Sequence, residues 1–354
     1  MDDETRARRD RCDTFLLGDG RVLPSQLLAS IGGSVVPDTY GDGGVVAELE
    51  AFVADLLGFP AAVFLPTGTM GQAATLRVHA DQRGRRTVLW HPTCHLQTHE
   101  GDAYARVHSL VGRTVGDRHR LLTRQDLDAV AEPVAALLLE LPQRDLGGQL
   151  PAWDDLLDQV AWARDHGAAT HLDGARLWEA SAGYGRPPAE IASLFDTAYV
   201  SFYKGIGALA GCCVVGPAEV VASVGEWRRR LGGTLHGMWP AAASALHLLP
   251  ERLPEMPARL THARAIAAAL GGVDGIRVIP DPPQTPMMHL LLEVSPARFV
   301  DNARRLAQEQ GLWVWPEPMT TDDPGVVRCE LSVGRATCGL DPQQVVTALQ
   351  ALRA

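Results

Sequence analysis

The sequence predicts an α/β protein: a large domain built on a mostly parallel central sheet, followed by a small C-terminal α+β domain. Three observations predict it. Short apolar runs alternate with amphipathic stretches of helical period over most of the first 250 residues. Those runs are continuously apolar rather than alternating, which marks strands covered on both faces and hence a parallel-dominated sheet. After about residue 250 the texture changes to proline-punctuated segments and a strand–helix–strand pattern, so the expected boundary lies between domains 1–250 and 251–354.

Taken in order, 44–57 reads as a helix, with Val46, Leu49, Phe52, Val53 and Leu56 on one face. The run 61–65 (AAVFL) is a short buried strand, and TGTM at 67–70 opens the next helix. Further strands are expected at 87–90, 135–141, 169–172, 197–202 and 212–215, with helices at 153–165 and 218–231. Beyond the proline-punctuated stretch 251–258 and a rigid loop at 279–286 come strand 288–294, helix 296–310, strands 312–315 and 326–333, and a closing helix at 342–352.

Composition excludes several function classes. The 354 residues carry 32 basic against 42 acidic side chains, a net charge of −10, which speaks against nucleic-acid partners and a polybasic membrane surface. No run approaches the roughly 18–20 apolar residues of a membrane span. Residues 1–11 are charged and lack the apolar centre of a secretory signal. The six cysteines show neither CxxC spacing nor the density of a disulfide scaffold, and a cytoplasmic protein is expected.

One count narrows the chemistry. The chain contains a single lysine, Lys204; the other 31 basic residues are arginine. A coding bias towards arginine explains the scarcity of lysine but not the one that remains. Guanidinium keeps its proton and cannot act as a free amine, whereas a desolvated ammonium can. Schiff-base formation is the leading chemistry that would require lysine at one position.

Three segments fall at carboxyl ends of expected strands, where an α/β sheet places its ligands. In PTGTM (66–70), backbone N–H groups and the Thr67 and Thr69 hydroxyls would form an anion site at a helix start, or merely an ordinary N-cap. In HLDGARLW (171–178), Asp173 ends an apolar strand; a structural Asp173–Arg176 pair is the plain alternative to a functional acid. In SFYKGIGALAG (201–211), Lys204 lies between a strand end and a glycine turn, and no strand–GxGxxG–helix context supports dinucleotide binding. An anion cradle, a strand-end acid and a lone lysine together fit pyridoxal phosphate, which needs an amine, an acid at its ring nitrogen and a phosphate site.

At these residues the sequence resembles the threonine aldolase and β-eliminating lyase group of fold-type-I, pyridoxal-phosphate-dependent enzymes. Tyr40–Gly43, AELEAFVADLL (47–57), AAVFLPTGTM, HLDGARLWEA and SFYKGIGALAG follow that group's order and spacing, from about Tyr40 to the C-terminus. The resemblance implies a transferase-like large domain with Lys204 as the Schiff-base lysine and Asp173 as the pyridinium partner. It implies that Gly68, Thr69, Met70 and Ser201 surround the phosphate, and that His95 stacks on the ring. Arg176 would lie near the cofactor oxygen and the substrate carboxylate, Arg328 would grip that carboxylate, and Tyr40 would border the substrate. Where the group has a histidine after the strand ending Leu-Glu, this chain has Gln143 and Arg144, and His236 stands where an arginine is common. The residues around 12–24 match the group poorly.

The implied reaction is retro-aldol cleavage of a β-hydroxy-α-amino acid to glycine and an aldehyde, in a homodimer or homotetramer. Alternatives are β-elimination or aldol synthesis on the same cofactor and, in another class, a non-catalytic binding protein of the same fold. His91, Cys94, His95 and His99 crowd together, but HEGD is not HExxH, and no metal is expected.

Overall fold

The computed structural model describes residues 1–31 and 34–354. Seven strands form the central sheet: β1 (Ala61–Leu65), β2 (Thr87–Trp90), β3 (Val111–Thr114), β4 (Ala136–Glu140), β5 (Ala169–Gly174), β6 (Thr197–Ser201) and β7 (Cys212–Gly216). Their order is β1-β7-β6-β5-β4-β2-β3, and only β7 runs against its neighbours. The strands the sequence predicts here are all present, within two residues at each end. β3 was not expected, because VGRT is a partly exposed edge strand without an apolar run.

Local chemistry sets the element ends. The helix Gly44–Leu57 buries Val46, Leu49 and Val53, and stops at Gly58, whose φ of 72° is the left-handed conformation a glycine accommodates. The helix Gly68–Arg83 is capped by Thr67, whose Oγ1 accepts the Met70 N–H at 3.3 Å. It packs against helix Ala218–Arg230 and against β6 and β7, adding Ala74 and Val78 to a core shared with Val63, Leu65, Tyr199 and Val214.

The chain divides into two compact units: residues 24–145 with 150–254, and residues 1–23 with 146–149 and 255–354. The sequence reading grouped residues 1–250 together. The differences are the short stretch 146–149 and the N-terminus, where Thr14–Phe15 pairs in parallel with Leu312–Trp313 and Cys12 and Phe15 pack on Trp313 and Ala307. The smaller unit holds a four-stranded antiparallel sheet in the order Met319–Thr320, Val326–Ser332, Met287–Glu293, Ile276–Ile279. Helices Met256–Leu270, Pro296–Gln310 and Pro342–Arg353 contribute to its core through Ile266, Phe299 and Leu349. The stretch 251–258 is helical for most of its length, because Pro257 falls in a first helical turn, where no N–H is needed. Among the described residues no helix is long and apolar enough to cross a membrane.

Candidate active site

The site is assembled where β1, β4, β5 and β6 end. β4 and β5 pair in parallel with Glu140 opposite Asp173, and β5 and β6 pair with Asp173 opposite Tyr199. Asp173 is 1 % exposed, so its carboxylate needs donors from the protein. The Ala175 N–H supplies one to Oδ1 at 3.0 Å, and Gln72 Nε2 supplies the other to Oδ2 at 2.5 Å. Gln72 lies one turn into the helix that Thr67 caps, so this bond ties the helix start to the end of β5.

The helix start is open in chemistry and tight in space. Thr67 takes the Met70 N–H with its side chain and the Gly71 N–H with its carbonyl, which leaves the Gly68 and Thr69 N–H groups outside the intrahelical ladder. A Cβ on Gly68 would meet Tyr199 Oη at 2.2 Å, so the backbone approaches β6 as only glycine allows. On the other side, Cys212 Sγ donates to the Thr67 carbonyl at 3.3 Å.

Beyond β6, Ser201 is fully buried and its carbonyl accepts the Trp178 indole N–H at 3.2 Å. Lys204 follows three residues later, half-buried, with Asp173, Arg176, Glu140 and Glu179 as its charged surroundings. Burial lowers its pKa from the usual lysine value, with Asp173 opposing that shift, so the free amine is more accessible than in water. A Cβ on Gly205 would lie 2.3 Å from Glu179 Oε1, so the glutamate carboxylate packs directly on the turn carrying the lysine.

His95 opens a short helix at His95–Thr98, and its Nδ1 lies 2.8 Å from Glu100 Oε1. A proton on Nδ1 would let it donate to the buried Glu100 oxygen, with Nε2 then the ring nitrogen facing other partners. His99 lies beside it, with ring centroids 5.0 Å apart. Gln143 is buried, its Nε2 donating to Thr93 Oγ1 at 3.0 Å and Glu140 Oε2 at 3.1 Å. Arg144 donates its backbone N–H to Glu140 Oε1 at 3.0 Å. Tyr40, at φ 55°, packs edge-on against His236 at 5.2 Å. Asp38 holds that corner by accepting the Gly41, Met238 and Trp239 N–H groups, each at 2.8 Å.

The structure therefore gathers Gly68, Thr69, Met70, Asp173, Arg176, Ser201 and Lys204 at one end of the central sheet, with His95, Gln143 and Arg144 in the segments that follow β2 and β4. Arg328 stands on strand Val326–Ser332 of the other unit. Sequence reasoning missed Gln72 and Glu140. The available signals were a polar residue one turn inside a capped helix and a second acid ending an apolar strand.

Comparison with known proteins identifies the family and the fold. The beta-eliminating lyase family model matches residues 11–294. Low-specificity L-threonine aldolase 1 of Arabidopsis thaliana is 27 % identical over 287 residues, covering 78 % of this chain and 79 % of that one. A Listeria monocytogenes EGD-E structure provisionally named an L-allo-threonine aldolase superposes with a TM-score of 0.92 at 32 % identity, covering 98 % of each chain. A serine palmitoyltransferase from S. paucimobilis with bound PLP–myriocin has a TM-score of 0.66 at 21 % identity, covering 97 % of this chain and 87 % of that one, a likeness of fold. With a family match spanning both the strand-end acid and the lone lysine, the chain belongs to the beta-eliminating lyase family.

Proposed function

We infer that this protein is a pyridoxal-phosphate-dependent carbon–carbon lyase that cleaves a β-hydroxy-α-amino acid to glycine and an aldehyde. One observation carries the reading: the only lysine of the chain stands at the end of β6, desolvated and beside a buried Asp173 whose two oxygens are both held by N–H donors. The names of the aldolase relatives support the reaction class.

The residues fit the cofactor. Lys204 would hold it through its amine, and Asp173 would pair with its ring nitrogen. Gly68 and Thr69 offer unspent N–H groups to the phosphate, with Met70 and the buried Ser201 hydroxyl alongside. His95, with its orientation fixed by Glu100, would lie on the ring face. When bound, pyridoxal phosphate supplies an electron sink for the pair released at Cα.

The remaining work falls to the chain. Arg176 would grip the substrate carboxylate and orient it, and the same role is proposed for Arg328. His95 Nε2, directly or through a water, would take the hydroxyl proton as the Cα–Cβ bond breaks. Gln143, Arg144 and Tyr40 would border the β-substituent. A second reading, β-elimination, is kept because the family carries that name. We place the enzyme in the cytoplasm, in keeping with its six unpaired cysteines, and as a homodimer or homotetramer. The exposed Tyr40, Tyr203, Leu209, Leu235 and Trp239, on segments flanking the site, support a second copy as partner.

The test is an amino-acid panel incubated with holoenzyme, with aldehyde, ammonia and keto acid measured separately. Aldehyde with glycine is expected. Ammonia with keto acid would favour elimination, and borohydride label absent from Lys204 would overturn the cofactor assignment.

A further inference from the structure

Two acids stand in register at neighbouring strand ends, and the reaction as described uses only one. Glu140 closes β4 directly opposite Asp173 on β5, and the Leu141 N–H donates to the Asp173 carbonyl at 3.0 Å. Parallel register partners put their side chains on the same face of the sheet. Each carboxylate has its own donors: Gln143 Nε2 and the Arg144 N–H on Glu140, Gln72 Nε2 and the Ala175 N–H on Asp173. Glu140 and Gln143 also line a cavity with His91, Cys94 and Gln159.

Charged groups near Glu140 are Asp173 on β5, Arg176 just beyond it, Asp145 in its own loop and Lys204 after β6, and the titratable but neutral Cys94 thiol lies ahead of His95. Two carboxylates so placed cannot both ionise cheaply. Burial, with the Asp173 charge second, pushes Glu140 up to about 8. The donor distances favour the charge on Asp173. The 2.5 Å bond from Gln72 favours a carboxylate at Asp173 more than bonds of 3.0 and 3.1 Å favour one at Glu140.

We propose that Glu140 and Asp173 share one proton, held by Glu140, so that the pair presents a single negative charge on Asp173. This rests on the reading of Asp173 as the ring-nitrogen partner. Glu140 is then a positioning residue, acting through Asp173. It also places an exchangeable proton in the segment where Gln143 and Arg144 offer none.

Two measurements on the full chain test it. In the protein without cofactor, an acid whose folded pKa is raised loses stability as pH climbs from its unfolded value towards its folded one. The urea midpoint of the parent should therefore fall, relative to Glu140→Gln, between about pH 4.5 and 8, by the slope of one proton. In holoenzyme without substrate, the cofactor absorption band should show a transition near pH 8 that Glu140→Gln lacks. Gln143→Leu, which removes a donor to the charged form, should move that transition to higher pH. A Glu140→Gln variant with the parent's slope and transition would overturn the pair. So would an unmoved transition in Gln143→Leu, which decides the matter if Glu140→Gln fails to fold. Failure of the parent to form a cofactor band overturns the proposed function instead, and the cofactor-free slope then judges the pair alone.

Discussion

Gln72 Nε2 donates to Asp173 Oδ2 at 2.5 Å, joining the first turns of one helix to the end of a strand 101 residues away. Both side chains are almost wholly buried, so water cannot replace either partner. Gln72→Leu should weaken cofactor binding and lower kcat by about 10- to 100-fold, since a hydrogen bond to a charged group contributes about 1.5–3 kcal/mol. Gln72→Asn, too short to reach, should resemble the leucine variant. Cofactor dissociation constants by equilibrium dialysis check this; parent-like affinity in both variants would leave Asp173 positioned by Ala175 alone.

Gly68→Ala should be costly for a steric reason. Its Cβ would sit 2.2 Å from Tyr199 Oη and 2.8 Å from Cζ. Overpacking of this kind costs about 1–3 kcal/mol. Tyr199→Phe removes the nearer of those atoms, so the double variant should recover part of the loss in thermal midpoint and cofactor affinity. Strict additivity of the two substitutions would refute the contact.

The substrate prediction concerns the loop after β4. Gln143 is spent on Glu140 and Thr93, whereas a histidine there could exchange a proton with a substrate hydroxyl. Threonine should be a poor substrate beside aryl-bearing and acid-bearing β-hydroxy amino acids, and Arg144→Ala should lower the preference for the acidic ones. Arg328→Ala should raise KM about 10-fold or more while changing kcat less, as expected of a carboxylate clamp. Measured kcat/KM across that series decides. A parent that prefers threonine, with neither Gln143→His nor Arg144→Ala altering the ranking, would remove this loop from substrate selection.

Acid sensitivity should come from the buried seam between the Gly68–Arg83 helix and the sheet. Thr197 Oγ1 lies 2.8 Å from His79 Nε2 and 2.9 Å from His171 Nδ1. A hydroxyl with one proton donates to one ring and accepts from the other, which suits two neutral imidazoles. Burial lowers His79 to about 4 and His171 to about 3. The unfolded chain then binds protons that the folded chain refuses, so stability is lost as pH falls from about 6.5 through 4. His79 alone should account for about 3 kcal/mol of that loss. Urea midpoints of parent and His79→Gln across this range check it, and equal slopes would contradict the assignment.

Much of the fold could be read because buried strands announce themselves as apolar runs such as ALLLE in β4 and CCVVG in β7. What escaped was structure without that signal. β3 is a polar edge, and the pairing of Thr14–Phe15 with Leu312–Trp313 spans nearly the whole chain through two residues on each side. At the site, Lys204 and Asp173 were legible because their chemistry is rare at such positions. Gln72 and Glu140 were not, because a glutamine on a helix and a glutamate on a strand acquire meaning only from the neighbour that sheet order brings to them.

The reversed direction of β7 has a mechanical consequence. The segment from Phe202 to Gly211 returns to the strand beside the one it left, closed by the Phe202 N–H on the Gly211 carbonyl at 3.2 Å and the Ala208 N–H on the Phe202 carbonyl at 2.8 Å. Lys204 thus rides on a hairpin tip, with Gly207 at φ 78° and Gly211 at φ 92° as its pivots. The segments after β1 and β5 instead lead straight into helices, and any shift there would drag a whole rod of backbone. If Lys204 holds the cofactor as proposed, its amine is carried by a short glycine-hinged connection rather than by the end of a long helix.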